Sequence, residues 1–164
     1  MKRLLVLLFS FCIIFSSTII TEAKSPNTFS TTYTEYINDD LYAEITLSQN
    51  NDINIPINNS SNLASVAKAS SNKKTASKTY SFKNNSGKVL ATYTLTGTFT
   101  YNGSSSTCTN ATCSTSISDS AYSFTQKTAR PSGNTAIGSF TLSSSKQTIS
   151  KTLTLKCNAN GTIQ

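Results

Sequence analysis

The sequence describes an all-β protein: an antiparallel β-sandwich of Ig-like type, or a small barrel, with about six or seven strands in its C-terminal half and a low-complexity N-terminal segment before it. Two observations point there. From Lys88 to Tyr101 the odd positions read Val89, Ala91, Tyr93, Leu95, Gly97, Phe99 and Tyr101, while every even position from Thr92 onward is threonine. Successive strand side chains face opposite ways, so this is one long strand, or two joined at a bulge near Gly97, with an apolar face inward and a threonine face to water. The second observation is punctuation: turn signals recur at short intervals down the last 85 or so residues.

The chain opens with Lys2 and Arg3, an apolar run from Leu4 to Ile20, and Thr21-Glu22-Ala23. This is the three-part pattern of a secretory signal peptide spanning residues 1–23, with small residues at the first and third positions before the cut. A lipoprotein is not expected, because Phe11 stands before Cys12 where a lipobox needs Gly or Ala. No second apolar run follows, so cleavage leaves no transmembrane segment.

Residues 24–77 are poor in apolar content and rich in Asn, Ser and Thr, which reads as an acidic, extended segment and linker. Within it, Thr32–Ile37 and Leu41–Leu47 flank Asn38-Asp39-Asp40. Tyr33, Ile37, Leu41 and Ile45 also recur at helical spacing, but the β-rich residue types and the polar break favour a hairpin.

Residues 78–164 form the β domain. Tyr80 and Phe82 alternate on a first strand, and Asn84-Asn85-Ser86-Gly87 supplies a turn before the long one. Asn102-Gly103 is a hairpin signal, and a Ser/Thr strand follows around Cys108–Ile117. Tyr122 and Phe124 mark the next strand, and Arg130–Asn134 the next turn. Ala136, Gly138, Phe140 and Leu142 alternate on another strand, then Ile149, Lys151, Leu153, Leu155 and Cys157 on the last.

Charge is unevenly spread. Lys24–Asn72 holds Lys24 and Lys68 against Glu35, Asp39, Asp40, Glu44 and Asp52, whereas Lys73–Gln164 holds ten cations against Asp119 alone. There is no histidine, which excludes Ser-His-Asp and Cys-His catalysis and the common zinc sites. A single acid after Tyr80 excludes a paired-carboxylate glycosidase built in that region, and starves a calcium site of hard oxygen. The expectation is a non-enzyme with no cofactor and no metal.

Its partner class would be an anionic polymer, such as a cell-wall or other surface polymer, attracted through Lys83, Lys88, Lys127, Arg130, Lys146, Lys151 and Lys156. No nucleic-acid site is expected, because the aromatics fall mainly on the apolar side of their strands. A secreted toxin-like antagonist and an enzyme of unfamiliar type are the competing readings.

Three cysteines survive signal removal: Cys108, Cys113 and Cys157. A Cys108–Cys157 bond would join two strand ends across a loop of roughly 50 residues, which on the chain-entropy model stabilises by about 4 kcal/mol. This favours it over a local Cys108–Cys113 staple and leaves Cys113 free; three unpaired, buried thiols are the alternative.

The runs Gly87–Thr109, Ser118–Tyr122, Ser132–Ala136 and Lys151–Cys157, with the acidic Thr34–Asp39, resemble a group of small exported proteins of Gram-positive bacteria, mainly clostridia and relatives. The resemblance covers roughly residues 30–48 and 74–164 and implies a C-terminal β domain of unknown activity. It also implies the Cys108–Cys157 pairing. Tyr122 stands where tryptophan is expected in those relatives, and Cys113 is additional.

Overall fold

The computed structural model describes residues 28–50 and 71–164; residues 1–27, which include the expected signal peptide, and the stretch 51–70 lie outside the described residues. Eight strands are described and no helix: β1 (Thr28–Asn38), β2 (Leu41–Asn50), β3 (Asn72–Asn84), β4 (Val89–Tyr101), β5 (Ser106–Ile117), β6 (Tyr122–Ser132), β7 (Thr135–Ser144) and β8 (Thr148–Lys156). They form two antiparallel sheets, β1-β2-β3-β4-β5 and β6-β7-β8, packed as a sandwich. Every hydrogen-bonded strand pair joins neighbours in sequence. Ser118–Ala121 carries the chain from one sheet to the other, with the Ser118 and Asp119 amides donating to the Leu90 carbonyl.

The alternation read from β4 is the alternation observed. Ala91, Tyr93, Leu95 and Phe99 are buried, and the intervening threonines form the outward face. Leu90 departs from the pattern and is buried too. β4 is one continuous strand; Gly97 pairs regularly with Ala76 and Ala111, and the register shift lies between Thr98 and Phe99 against β5. Gly97 serves close packing instead: a Cβ there would lie 2.6 Å from the Phe99 ring and 2.9 Å from Ala136 Cβ on the other sheet.

Residues 28–50 of the acidic segment fold as the hairpin β1–β2. Its turn is tied by the Asp40 amide donating to Asn38 Oδ1 at 3.0 Å. β2 then pairs with β3 from Leu41↔Asn84 to Gln49↔Ala76, so strand structure begins well before Tyr80. The Lys-Ser-Ala composition of Lys73–Ser77 suits a linker, but pairing with strands on both sides and burial of Ala76 override that weak propensity. Likewise Arg130, Pro131 and Ser132 belong to β6, and the turn narrows to Gly133-Asn134, with Gly133 at φ 59°. Pro131 is tolerated because β6 is an edge strand.

The core is aromatic at its centre. Phe140 of β7 lies with its ring centroid 4.7 Å from Tyr93, 5.6 Å from Phe82, 5.8 Å from Phe124 and 5.9 Å from Tyr80. Burying side chains of this size stabilises by roughly 1.5–3 kcal/mol each. Beyond β8 the chain turns at Asn158–Gly161, and Gln164 exchanges two backbone hydrogen bonds with Lys156, placing Ile163 in the core.

Candidate functional site

Both outer faces are hydroxyl ladders. On the larger sheet the register aligns Thr32, Thr46, Thr79, Thr94 and Ser114 in one row, and Ser30, Ser48, Ser77, Thr96 and Thr112 in the next. Thr32 and Thr46 share a hydrogen bond of 3.0 Å, as do Thr79 and Thr94. The smaller sheet repeats the device with Ser139–Thr152 and Thr141–Ser150, each at 3.0 Å.

Against this neutral ground the seven expected polyanion contacts fall in different places. Lys83 on β3 is ion-paired to Glu44 of β2 at 2.5 Å, and Lys88 lies 3.5 Å from Asp119. Lys151 of β8 points inward at the open side of the sandwich and pairs with Glu35 of β1. Glu35 also accepts from the Tyr80 hydroxyl at 3.4 Å. Burial, the Glu35 charge and Tyr33 together push the Tyr80 phenol up to about 12.

The acidic hairpin is thus docked on the basic body through Glu35 and Glu44. Lys127 reaches Thr115 Oγ1 of β5 at 3.3 Å, and Lys146 sits in the exposed β7–β8 turn. Arg130 and Lys156 remain together on the outward face of the smaller sheet: the register places Arg130 in the row of Ile137 and Thr154, and Lys156 in the adjacent row with Thr135 and Ser132. The cations therefore do not share one face.

β6–β8 with their turns hold five cations, Lys127, Arg130, Lys146, Lys151 and Lys156, and no carboxylate. The acids of the described residues lie in β1–β2, in the turn between them, and at Asp119. Sequence counting revealed the excess of charge, but only the sheet order shows its division between the two sheets.

A depression of about 340 Å³ opens between the β1–β2 and β7–β8 turns, lined by Asn38, Asp39, Asp40, Leu41, Tyr122, Lys146 and Gln147. Asn38 donates to Gln147 Oε1 across it at 2.6 Å. Among the described residues no group of three or more His, Cys, Asp and Glu side chains is placed to hold a metal ion.

No match is found among protein-family models, curated proteins or solved structures.

No disulfide is present among the described residues. Cys108 Sγ donates to the Asn110 carbonyl at 3.2 Å, and Cys157 Sγ to that of Asn158 at 3.4 Å. Yet the fold brings these two cysteines to one turn: the Cys108 amide donates to Gly133 O at 2.8 Å and the Cys157 amide to Asn134 O at 3.0 Å. Both are buried, and burial raises the Cys108 thiol above its ordinary value. Cys113 is half-buried beside the Tyr93 hydroxyl, on the inward side of β5. No helix of the described residues is long and apolar enough to cross a membrane.

Proposed function

We propose that the chain is exported, loses residues 1–23, and acts outside the cell as a non-catalytic module that associates with an anionic polymer of the envelope. The resemblance noted above makes that envelope a Gram-positive one. The contact surface is the outward face of β6–β8, centred on Arg130 and Lys156, with Lys146 in the β7–β8 turn at its margin. The observation that carries this reading is the absence of any carboxylate from that sheet and its turns, set against five cations. Only Lys151 among them has a counter-ion in the described residues, the Glu35 carboxylate of β1. A hydroxyl ground between the cations suits a repeating phosphate or carboxylate polymer, which needs charge for attraction and short donors for contact.

The test is co-sedimentation of the mature chain with purified walls across a salt series. Binding should fall as salt rises, because exposed charges separated by more than about 8 Å are screened at physiological ionic strength. The double change Arg130→Gln and Lys156→Gln should weaken it further at low salt. Retention that ignores both salt and the double change would discard this surface.

We also propose that export allows Cys108 and Cys157 to bond, the two thiols giving up two protons and two electrons to an extracellular disulfide oxidant. Their attachment to consecutive carbonyls of one turn supports the pairing. Peptide mapping of the secreted chain without reductant should yield a linked Cys108–Cys157 pair and an alkylatable Cys113.

A further inference from the structure

Four strands end the two sheets, and three carry devices that discourage pairing with another chain. β6 carries Lys127, Arg130 and Pro131. β8 carries Lys151 and Lys156, and its upper edge is already paired with the C-terminal residues through Lys156 and Gln164. β5 has its edge met by the Gly133 carbonyl, which accepts from Cys108, and by Lys127, which reaches Thr115. Charges, proline and cover are the ordinary protections of a sheet edge.

Among the described residues β1 has no proline and only one charge. Its ten residues from Thr28 to Ile37 contain one charge, Glu35, which turns inward to Lys151, and the strand pairs without irregularity as far as Tyr36. It also holds three of the four exposed large hydrophobic side chains of the described residues: Phe29 at 54%, Tyr33 at 51% and Tyr36 at 81% exposure. Phe29 and Tyr33 continue the inward face of β2, where Tyr33 stands opposite Ile45, and so extend the core face past the margin of the smaller sheet.

We propose that β1 is the docking edge for a second copy of this chain. The two β1 strands pair antiparallel about a two-fold axis at Tyr33, joining two five-stranded sheets into one of ten. The strand is complementary to itself in this register. Tyr33 meets its own copy, Phe29 of each molecule meets Ile37 of the other, and Thr31 meets Glu35. On the opposite face Ser30 meets Tyr36 and Thr32 meets Thr34. No like charges stand opposite each other, and the Asp39-Asp40 turns of the two copies lie at opposite ends. The apolar strips of the two molecules then lie side by side on one face, each packing against the flank of the other.

Sedimentation velocity on the mature chain should show a concentration-dependent dimer, as expected for a small interface at the weak end of specific association. Tyr33→Lys sets two ammonium groups opposite each other and should weaken the dimer on the order of tenfold or more, since directly opposed like charges disfavour pairing. Its far-ultraviolet circular dichroism should be unchanged, because Tyr33 is half exposed.

The register has a test of its own. Residues directly opposite in antiparallel strands have Cα atoms about 4.5–5.5 Å apart, within disulfide range. Tyr33→Cys should therefore give a covalent dimer on oxidation, while Phe29→Cys, whose counterpart is Ile37, and the unaltered chain should not. A monomer at every concentration overturns the proposal. So does a dimer that survives Tyr33→Lys, which would point instead to exchange of the β1–β2 hairpin or to another face, or a covalent dimer formed equally well through position 29.

Discussion

Gly138 sits on β7 across the core from Tyr93 of β4. A methyl group there would lie 2.5 Å from Tyr93 Oη and 2.9 Å from Leu95 Cδ1. Ordinary contact needs roughly 1 Å more, and Tyr93 has nowhere to retreat: it is fully buried, its ring lies 4.7 Å from that of Phe140, and its hydroxyl donates to the Thr128 carbonyl at 2.8 Å. Gly138→Ala should therefore overpack the core, at about 1–3 kcal/mol. Displacing the hydroxyl from Thr128 adds the cost of a buried, unsatisfied group, about 1–3 kcal/mol.

The lower entropy of the unfolded alanine chain returns about 0.4–1 kcal/mol. The net expectation is a loss of about 1–5.6 kcal/mol in urea-unfolding free energy. Adding Tyr93→Phe removes the atom that collides, so the double variant should be less destabilised than the two single changes sum to, with a coupling of about 1 kcal/mol or more. A Gly138→Ala protein within about 0.5 kcal/mol of the parent, a change typical of an unconstrained surface site, or strictly additive single changes, would show that this approach does not govern packing.

Two further expectations concern titration and the C-terminus. Tyr80 ionises only near 12 in the folded chain, whereas an unfolded tyrosine ionises near its ordinary 10.0. The unfolded state sheds its proton first, so stability should be full below pH 10 and fall as pH rises from there through about 12. Denaturation midpoints across that window, with phenolate absorbance followed in parallel, check it; a flat profile, or phenols all titrating near 10, contradicts it. Ile163 is buried and pairs with Cys157 through an isolated antiparallel backbone bridge, so Ile163→Ala should cost about 2–5 kcal/mol and speed amide exchange at Lys156 and Gln164. Unchanged exchange would mean that backbone pairing alone holds the C-terminus.

The strands were legible because period-two alternation is a direct imprint of one buried face. Tyr93, Leu95, Phe99, Phe140 and Leu153 all lie inward as their spacing requires. The hairpin at residues 32–47 was readable for the same reason. Lys73–Ser77 was not, since its strand is imposed by neighbours on both sides and not by its own residue types. Gly97 and Gly138 carry no local sign of their role either: each is fixed by an aromatic side chain, that of Phe99 or Tyr93, whose position only the tertiary fold determines. The cations were countable from sequence, but their partners were not. Lys151 meets Glu35 across 116 residues, a pairing that spacing cannot suggest.

The hydroxyl ladders have a consequence for behaviour outside the cell. Threonine and serine do not titrate at any biological pH and attract no counter-ion cloud, so most of the wetted surface stays the same in acid or brine. Such a coat keeps the sheets hydrated without long, mobile charged side chains, whose immobilisation on contact costs more entropy than that of a short hydroxyl. It also makes the few cations conspicuous. Whatever response to salt the described residues have must originate at a small number of lysines, one arginine and the carboxylates of the β1–β2 hairpin and Asp119.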